Sequence, residues 1–300
     1  MSQNDKVVVQ LFSGVHGNEH CAVLSSIRAK ETIKDESMDI RLMDGVNVPG
    51  LRDNVREVAD HSKDVITDLN RKFTIYKEPD KIDVITKHIE DTIELADVVI
   101  DIHNSPACMN CVLISNNGYA PAYIQHCISH NLPYLLWESD TDTIKKYSQD
   151  MNKVGITIEL GGMGGSVHQK HLITEQTQFI INVIESFQGM SKDVLKKVFT
   201  PKKPGSFEPS YRFFDSSFLW QPIFAHSEGV IEYLYDVGES IDKGAVICRI
   251  HSKKDGHAPY TEVVSPCTGK LAEISDALYV RAADCFCHIQ PDIRCKDKEC

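Results

Sequence analysis

The stretch DKIDVITKHIEDTIELADVVIDIHN, residues 80–104, changes its hydrophobic period once, and that change decides the fold. Ile82, Ile85, Ile89 and Ile93 fall three or four residues apart, which places them on one face of a helix over Asp80–Asp97. Pro79-Asp80 supplies a start signal for it. From Val98 the spacing gives way to a continuous apolar run, Val98–Ile102, which reads as a strand buried on both faces. The run closes on polar residues, Asp101-Ile102-His103-Asn104.

The same alternation extends in both directions. Upstream, Lys6–Phe12 is a β-branched run bounded by Gly14, and residues 19–34 read as a helix. Downstream, Val112–Ser115, Tyr134–Trp137 and Gly155–Ile158 read as strands, with helices expected over Ala120–His130, Thr143–Lys153 and Thr174–Phe187. Strands alternating with helices predict an α/β fold, a mixed but mostly parallel sheet with helices on both faces. At Pro201-Lys-Lys-Pro204-Gly205 the composition changes, because these residues can neither extend a helix nor join a sheet interior. Beyond it lie short β-type pieces separated by turns. The expected organisation is therefore a domain over residues 1–203, a smaller all-β domain over 206–290 and a tail over 291–300.

The chain has 300 residues, 42% apolar and 25% charged, which is ordinary for one large or two medium globular domains. Its formal charge of −11 offers no counterion-releasing surface and argues against nucleic acid as a partner. No apolar run approaches the roughly 18–20 residues that cross a bilayer, so no membrane association is expected. No basic segment followed by an apolar one opens the sequence, so a secretory signal is not expected either. The ten cysteines then read as reduced thiols in a cytoplasmic protein. A homo-oligomer stays open.

The strongest chemical signal is Gly14-Val-His16-Gly17-Asn18-Glu19, directly after the first strand. An imidazole and a carboxylate three residues apart on a glycine-loosened turn can converge on one cation, and both suit zinc. His103 supplies a third ligand at the end of another strand, and Asp101, two residues before it, points to the same side and can orient the imidazole. Glu159 ends a third strand. Ligand sites in open parallel sheets lie beyond the carboxyl ends of the strands, so His16, Glu19, His103 and Glu159 can meet in space. A carboxylate beside such an ion can take a proton from an activated water. Asp68-Leu-Asn70-Arg71 sits in an expected loop, where an adjacent amide and guanidinium can hold a substrate carboxylate. Cys108-Met-Asn-Cys111 has knuckle spacing but no second pair, and reads as two reduced thiols.

Gly14–Glu19, Asp68–Arg71, Asp101–Asn104 and Glu159–Gly162, in this order, resemble the succinylglutamate desuccinylase and aspartoacylase family, deacylases related to the zinc carboxypeptidases. The resemblance implies hydrolysis of the amide, less often ester, bond of a small N-acylated amino acid or related compound. It implies one zinc per chain held by His16, Glu19 and His103, Glu159 as general base, and Asn70 with Arg71 as carboxylate binders. The cation that stabilises the oxyanion stays open among Arg52, Arg56 and Lys63. After Glu159 the sequence reads Leu-Gly-Gly where aspartoacylases have Val-Gly-Pro, which leaves the acyl preference open. The C-terminal part resembles a lipoyl- or biotinyl-like β fold. Lys253 and Lys254 fall near the hairpin that carries the modified lysine in such domains, but without the usual flanking residues, so the domain is expected to shape the active-site cleft instead. Two other readings stand beside the deacylase: a carboxypeptidase on short peptides, and a catalytically weak binding protein on the same fold.

Overall fold

A computed structural model describes residues 6–60, 65–73, 84–105, 109–115, 117–137, 142–161, 170–201, 221–251, 260–274 and 279–291. Lys63, Cys108, Lys253 and Lys254 lie outside them. The chain divides into two compact units, one from residues 1–105 and 110–207, the other from 106–109 and 208–300.

The first unit opens with β1 (Val7–Ser13), α1 (His20–Thr32), β2 (Met38–Met43), a short α2 (Val48–Asp53) and a hairpin of β3 (Val58–Asp60) and β4 (Val65–Thr67). A single 3-10 turn, Leu69–Arg71, precedes α3 (Val84–Glu94). Then follow β5 (Val98–Ser105), β6 (Cys111–Ser115), α4 (Ala120–Ser129), β7 (Tyr134–Trp137), α5 (Ile144–Asp150), β8 (Val154–Gly161), α6 (Lys170–Glu185) and α7 (Lys192–Val198).

Six strands form one sheet in the order β2-β1-β5-β8-β6-β7. β2, β1, β5 and β8 run parallel. β6 turns antiparallel to β8 and parallel to β7. The expected mixed, mostly parallel sheet is thus observed. Helix α1 packs with α6, whereas α3 and α5 contribute Ile89, Ile93, Ile144 and Tyr147 to a core with Phe12, Leu69, Phe73 and Val99. Covered on both sides, β1 and β5 can be almost wholly buried, and their Val- and Ile-rich runs follow from that.

The elements that escaped the sequence reading have plain causes. Met38, Ile40 and Leu42 of β2 alternate as an edge strand should, over only 6 residues. In α2, Pro49 and Gly50 read as breakers, yet proline is tolerated in a helix's first turn, and Asn47 caps this one by accepting from Gly50 N at 2.9 Å. Both β5 and β8 run about three residues further than their apolar runs, so His103 and Glu159 are strand residues rather than residues just past a strand end.

The second unit comprises β9 (Gln221–Phe224), β10 (Gly229–Tyr233), β11 (Ser240–Ile241), β12 (Val246–His251), β13 (Thr261–Val264), β14 (Gly269–Ile274), β15 (Tyr279–Val280) and β16 (Cys285–Pro291). They build two antiparallel sheets, β13-β12-β10-β15 and β11-β14-β16-β9. These share one core containing Ile231, Ile250, Leu271, Phe286 and Ile289. Among the described residues no helix is long and apolar enough to cross a membrane.

Candidate metal centre

Three parallel strands deliver the site. β1 ends at Ser13, and Gly14 turns the chain with φ at +71°, a conformation that favours glycine. Gly17 then passes so close to α2 that a Cβ there would lie 2.0 Å from the Gly50 carbonyl carbon. These two glycines let the loop fold back and present His16 and Glu19 at the start of α1. His103 arrives from β5, and Glu159, its register partner on neighbouring β8, stands beside it on the same face of the sheet.

His16, Glu19 and His103 are each at most 4% exposed. Glu19 takes both imidazoles: its Oε1 lies 2.7 Å from His16 Nδ1 and its Oε2 3.0 Å from His103 Nδ1, while the two Nδ1 atoms are 3.1 Å apart. The far nitrogens also meet acids, His16 Nε2 at 3.1 Å from Asp68 Oδ1 and His103 Nε2 at 2.9 Å from Asp101 Oδ2. Asn70 Nδ2 donates to that same Asp101 oxygen at 3.0 Å, and Asn70 Oδ1 accepts from Ile144 N at 3.0 Å. A proton on each Nε2 would let both histidines donate to their acids and leave the Nδ1 lone pairs for a bound cation.

The electrostatics follow from this crowding. Burial opposes charge on His103, but the carboxylates of Asp101 and Glu19 outweigh it and hold its pKa well above the ordinary imidazole value. Glu19 is likewise buried, yet His103 and His16 bring its pKa down to about 2. Asp68 is held low by His16 and Arg56 against its own desolvation. Glu159 goes the other way: burial, opposed by His103 and reinforced by Glu19 and Asp101, raises it to about 7. Its carboxylate has no hydrogen-bond partner among the described residues.

The residues fit a metal ion. Each Nδ1 lies 2.7 or 3.0 Å from its nearer Glu19 oxygen and the two Nδ1 atoms are 3.1 Å apart. With one ligand atom taken from each residue the three donors lie within 4.8 Å of one another, a span that donors about 2.0–2.2 Å from one zinc ion can share. Two imidazoles with one carboxylate are a zinc donor set. Asp68 and Asp101 hold the far ring nitrogens and so can orient both rings toward an ion, and Asp101 keeps a buried Oδ1 without a partner among the described residues.

Of the three cations considered for the oxyanion, Arg52 is exposed on α2 and pairs with its own neighbour Asp53. Arg56 reaches the site, with Nη2 3.2 Å from Asp68 Oδ2 and Nη1 3.8 Å from Glu19 Oε1. Arg71 is exposed, its Nη1 donating to the Asn70 carbonyl at 2.8 Å, and it has no carboxylate partner among the described residues. The Asn70 side chain, expected beside Arg71 at a substrate carboxylate, is instead buried and engaged with Asp101 and Ile144. Sequence reasoning gave Asp68 no role. Its adjacency to Asn70-Arg71 was the available signal, since its Oδ1 caps the 3-10 turn through Asn70 N at 2.9 Å while facing His16.

Other proteins share this arrangement of elements. An aspartoacylase family protein from Mesorhizobium loti superposes with a TM-score of 0.65 at 15% identity, over 96% of this chain and 86% of that one. A succinylglutamate desuccinylase from a Silicibacter species gives 0.64 at 19% identity over 95% and 85%. The product-bound ectoine utilization protein EutE from Ruegeria pomeroyi gives 0.64 at 17% over 96% and 86%. No curated protein sequence matches the chain. The sequence model of the succinylglutamate desuccinylase/aspartoacylase catalytic domain, however, matches residues 5–186, which include all four strands and loops that meet at the site. The chain therefore belongs to the succinylglutamate desuccinylase/aspartoacylase family, whose members are deacylases.

Proposed function

We propose that this protein is a zinc-dependent amidohydrolase that removes the acyl group from a small N-acylated amino acid or related compound, at an amide or ester bond. One observation carries the reading: three buried donors, two from the loop between β1 and α1 and one from β5, converge within 4.8 Å of one another beside Glu159. His16, Glu19 and His103 would hold one zinc ion. When bound, that ion lowers the pKa of water and polarises a carbonyl.

The chain's own groups do the rest. Glu159 takes the proton of the attacking water and returns it to the departing nitrogen. A carboxylate with a pKa near neutrality is suited to both transfers. Arg56 faces the charge that develops on the carbonyl oxygen. Arg71 grips a substrate carboxylate with its guanidinium fork, and Asn70 sets the position of Arg71 through its carbonyl. Asp68 and Asp101 keep the two rings aligned. Cys127, Cys248 and Cys287 are buried free thiols, in keeping with a protein of a reducing compartment such as the cytoplasm.

Glu159→Gln tests the assignment. The variant is expected to bind zinc while its kcat on a panel of N-acyl amino acids and esters falls by about 100- to 10,000-fold, the usual contribution of a general base. Unchanged turnover overturns the role of Glu159, and a zinc-loaded wild type inert on the whole panel overturns the deacylase reading.

A further inference from the structure

Helices α2, α5 and α7 open on their own side chains: Asn47, Thr143 and Ser191 each accept a hydrogen bond from a first-turn N–H. Helix α1 does not. Glu19 holds its N-cap position without a side-chain cap bond, because its carboxylate is turned to His16 and His103. An N-cap side chain ordinarily accepts from the second or third amide of the helix, and in α1 the third is Ala22. That buried amide still has a partner: it donates to Oδ1 of Asn104 at 2.5 Å, from 82 residues away.

Asn104 follows His103 on β5, so its side chain leaves the opposite face of the sheet, where it is 7% exposed. Its amide Nδ2 donates to the Leu160 carbonyl at 3.2 Å. Leu160 is its register partner on β8 and the residue after Glu159. Oxygen toward an N–H and nitrogen toward a carbonyl satisfy the side chain at both ends.

We propose that Asn104 is a positioning residue that caps α1 from β5, so that the Glu19 carboxylate remains aimed at the metal centre, and that ties the start of α1 to the strand carrying Glu159. The inference rests on the metal-centre reading above. Without Asn104, the Ala22 amide becomes a buried donor with nothing to receive it. The side chain that ordinarily caps that amide is the one at the helix's own N-cap, here Glu19, so capping and metal holding compete for its carboxylate.

The test measures zinc affinity of the full chain by competition with a chromophoric chelator, which needs no substrate. N104A is expected to bind zinc roughly tenfold more weakly, the scale of a lost N-cap, and to show faster amide exchange at Ala22. N104D keeps an acceptor for that amide, with a charge that suits a helix N-terminus, and is expected to stay within roughly threefold of wild type. S25A removes another buried bond of the same helix, from Ser25 Oγ to Gln176 Oε1 at 2.9 Å. It reports general destabilisation and is expected to leave zinc affinity within roughly threefold as well. Should N104A fail to fold, N104S, too short to bridge both groups, takes its place with the same expectation. Wild-type affinity in N104A, or equal losses in N104A and N104D, or in N104A and S25A, overturns the inference. A wild-type chain that takes up no zinc overturns the metal-centre reading itself.

Discussion

Zinc uptake by this chain is expected to release protons, and the share that Glu159 contributes can be worked from the site. In the metal-free chain both nitrogens of His103 face carboxylates, Nδ1 toward Glu19 at 3.0 Å and Nε2 toward Asp101 at 2.9 Å. Their charges hold the imidazolium form well above the ordinary histidine range despite burial. A metal held by the Nδ1 lone pair would displace that proton, while the one on Nε2 would stay with Asp101. Glu159, raised to about 7 mainly by burial, is largely protonated at pH 6 and ionises when a cation settles beside it. Wild type is therefore expected to release about one more proton at pH 6 than Glu159→Gln. Each released proton weakens apparent zinc affinity about tenfold for every pH unit of acidification below the pKa concerned. Calorimetric titrations in buffers of different ionisation enthalpy read the count directly as the slope of observed enthalpy against buffer enthalpy. A slope of zero refutes the protonated His103, and equal slopes for wild type and Glu159→Gln refute the raised Glu159.

Two further outcomes concern stability. His126 is buried against Phe187 at a ring separation of 4.7 Å, its Nε2 2.8 Å from Ser186 Oγ, and burial with a contribution from His130 lowers its pKa from 6.5 to about 4. The unfolded chain then binds the proton first, so stability falls as the pH drops from 6.5 toward 4, by at most about 3 kcal/mol at 1.36 kcal/mol per pH unit. Denaturant unfolding at pH 7.5 and pH 5 should show a smaller loss in His126→Gln than in wild type, and equal losses would refute it. Gly17→Ala places a methyl 2.0 Å from Gly50 backbone, which cannot move aside like a side chain. It should lower stability by about 1–3 kcal/mol or more and reduce zinc uptake. A variant with wild-type melting temperature and zinc content would refute the close approach.

How far sequence reasoning reaches is set by whether a signal is local. The α3–β5 segment was legible because its apolar residues first follow a helix period and then run unbroken through a buried strand. His16 and Glu19 were legible because glycine-loosened turns with metal-ligating side chains are few, and β1 marks where such a turn sits. The reversed direction of β6 was not legible, since a strand's residues carry no record of which way its neighbour runs. Arg56 could not be chosen over Arg52 from the sequence either. Its nearness to the site comes from a loop folded back so that Gly17 N and Asn47 Nδ2 both donate to the Arg56 carbonyl, at 3.2 and 3.3 Å. That geometry belongs to three segments at once, and none of them announces it alone.

The four residues Asp101-Ile102-His103-Asn104 explain why the centre sits on β5 rather than on a helix. A strand's period of two sends Asp101 and His103 to one face, where the acid can hold the ring it accompanies. The same period sends Asn104 to the other face, where it meets α1 and β8. A helix would spread the same residues about 100° apart and could not place a ligand and its brace on opposite sides of one layer. Because the sheet is buried on both faces, each face offers fixed partners: Glu19 and Glu159 beside His103, and the Ala22 amide and Leu160 carbonyl beside Asn104. A one-residue slip of β5 would exchange the two faces, burying His103 against α1 and turning Asn104 toward Glu19 and Glu159. The register of β5 against β1 and β8 is therefore as much a part of the proposed metal centre as its candidate ligands are, and a change that loosens this pairing should cost zinc affinity even where it touches none of them.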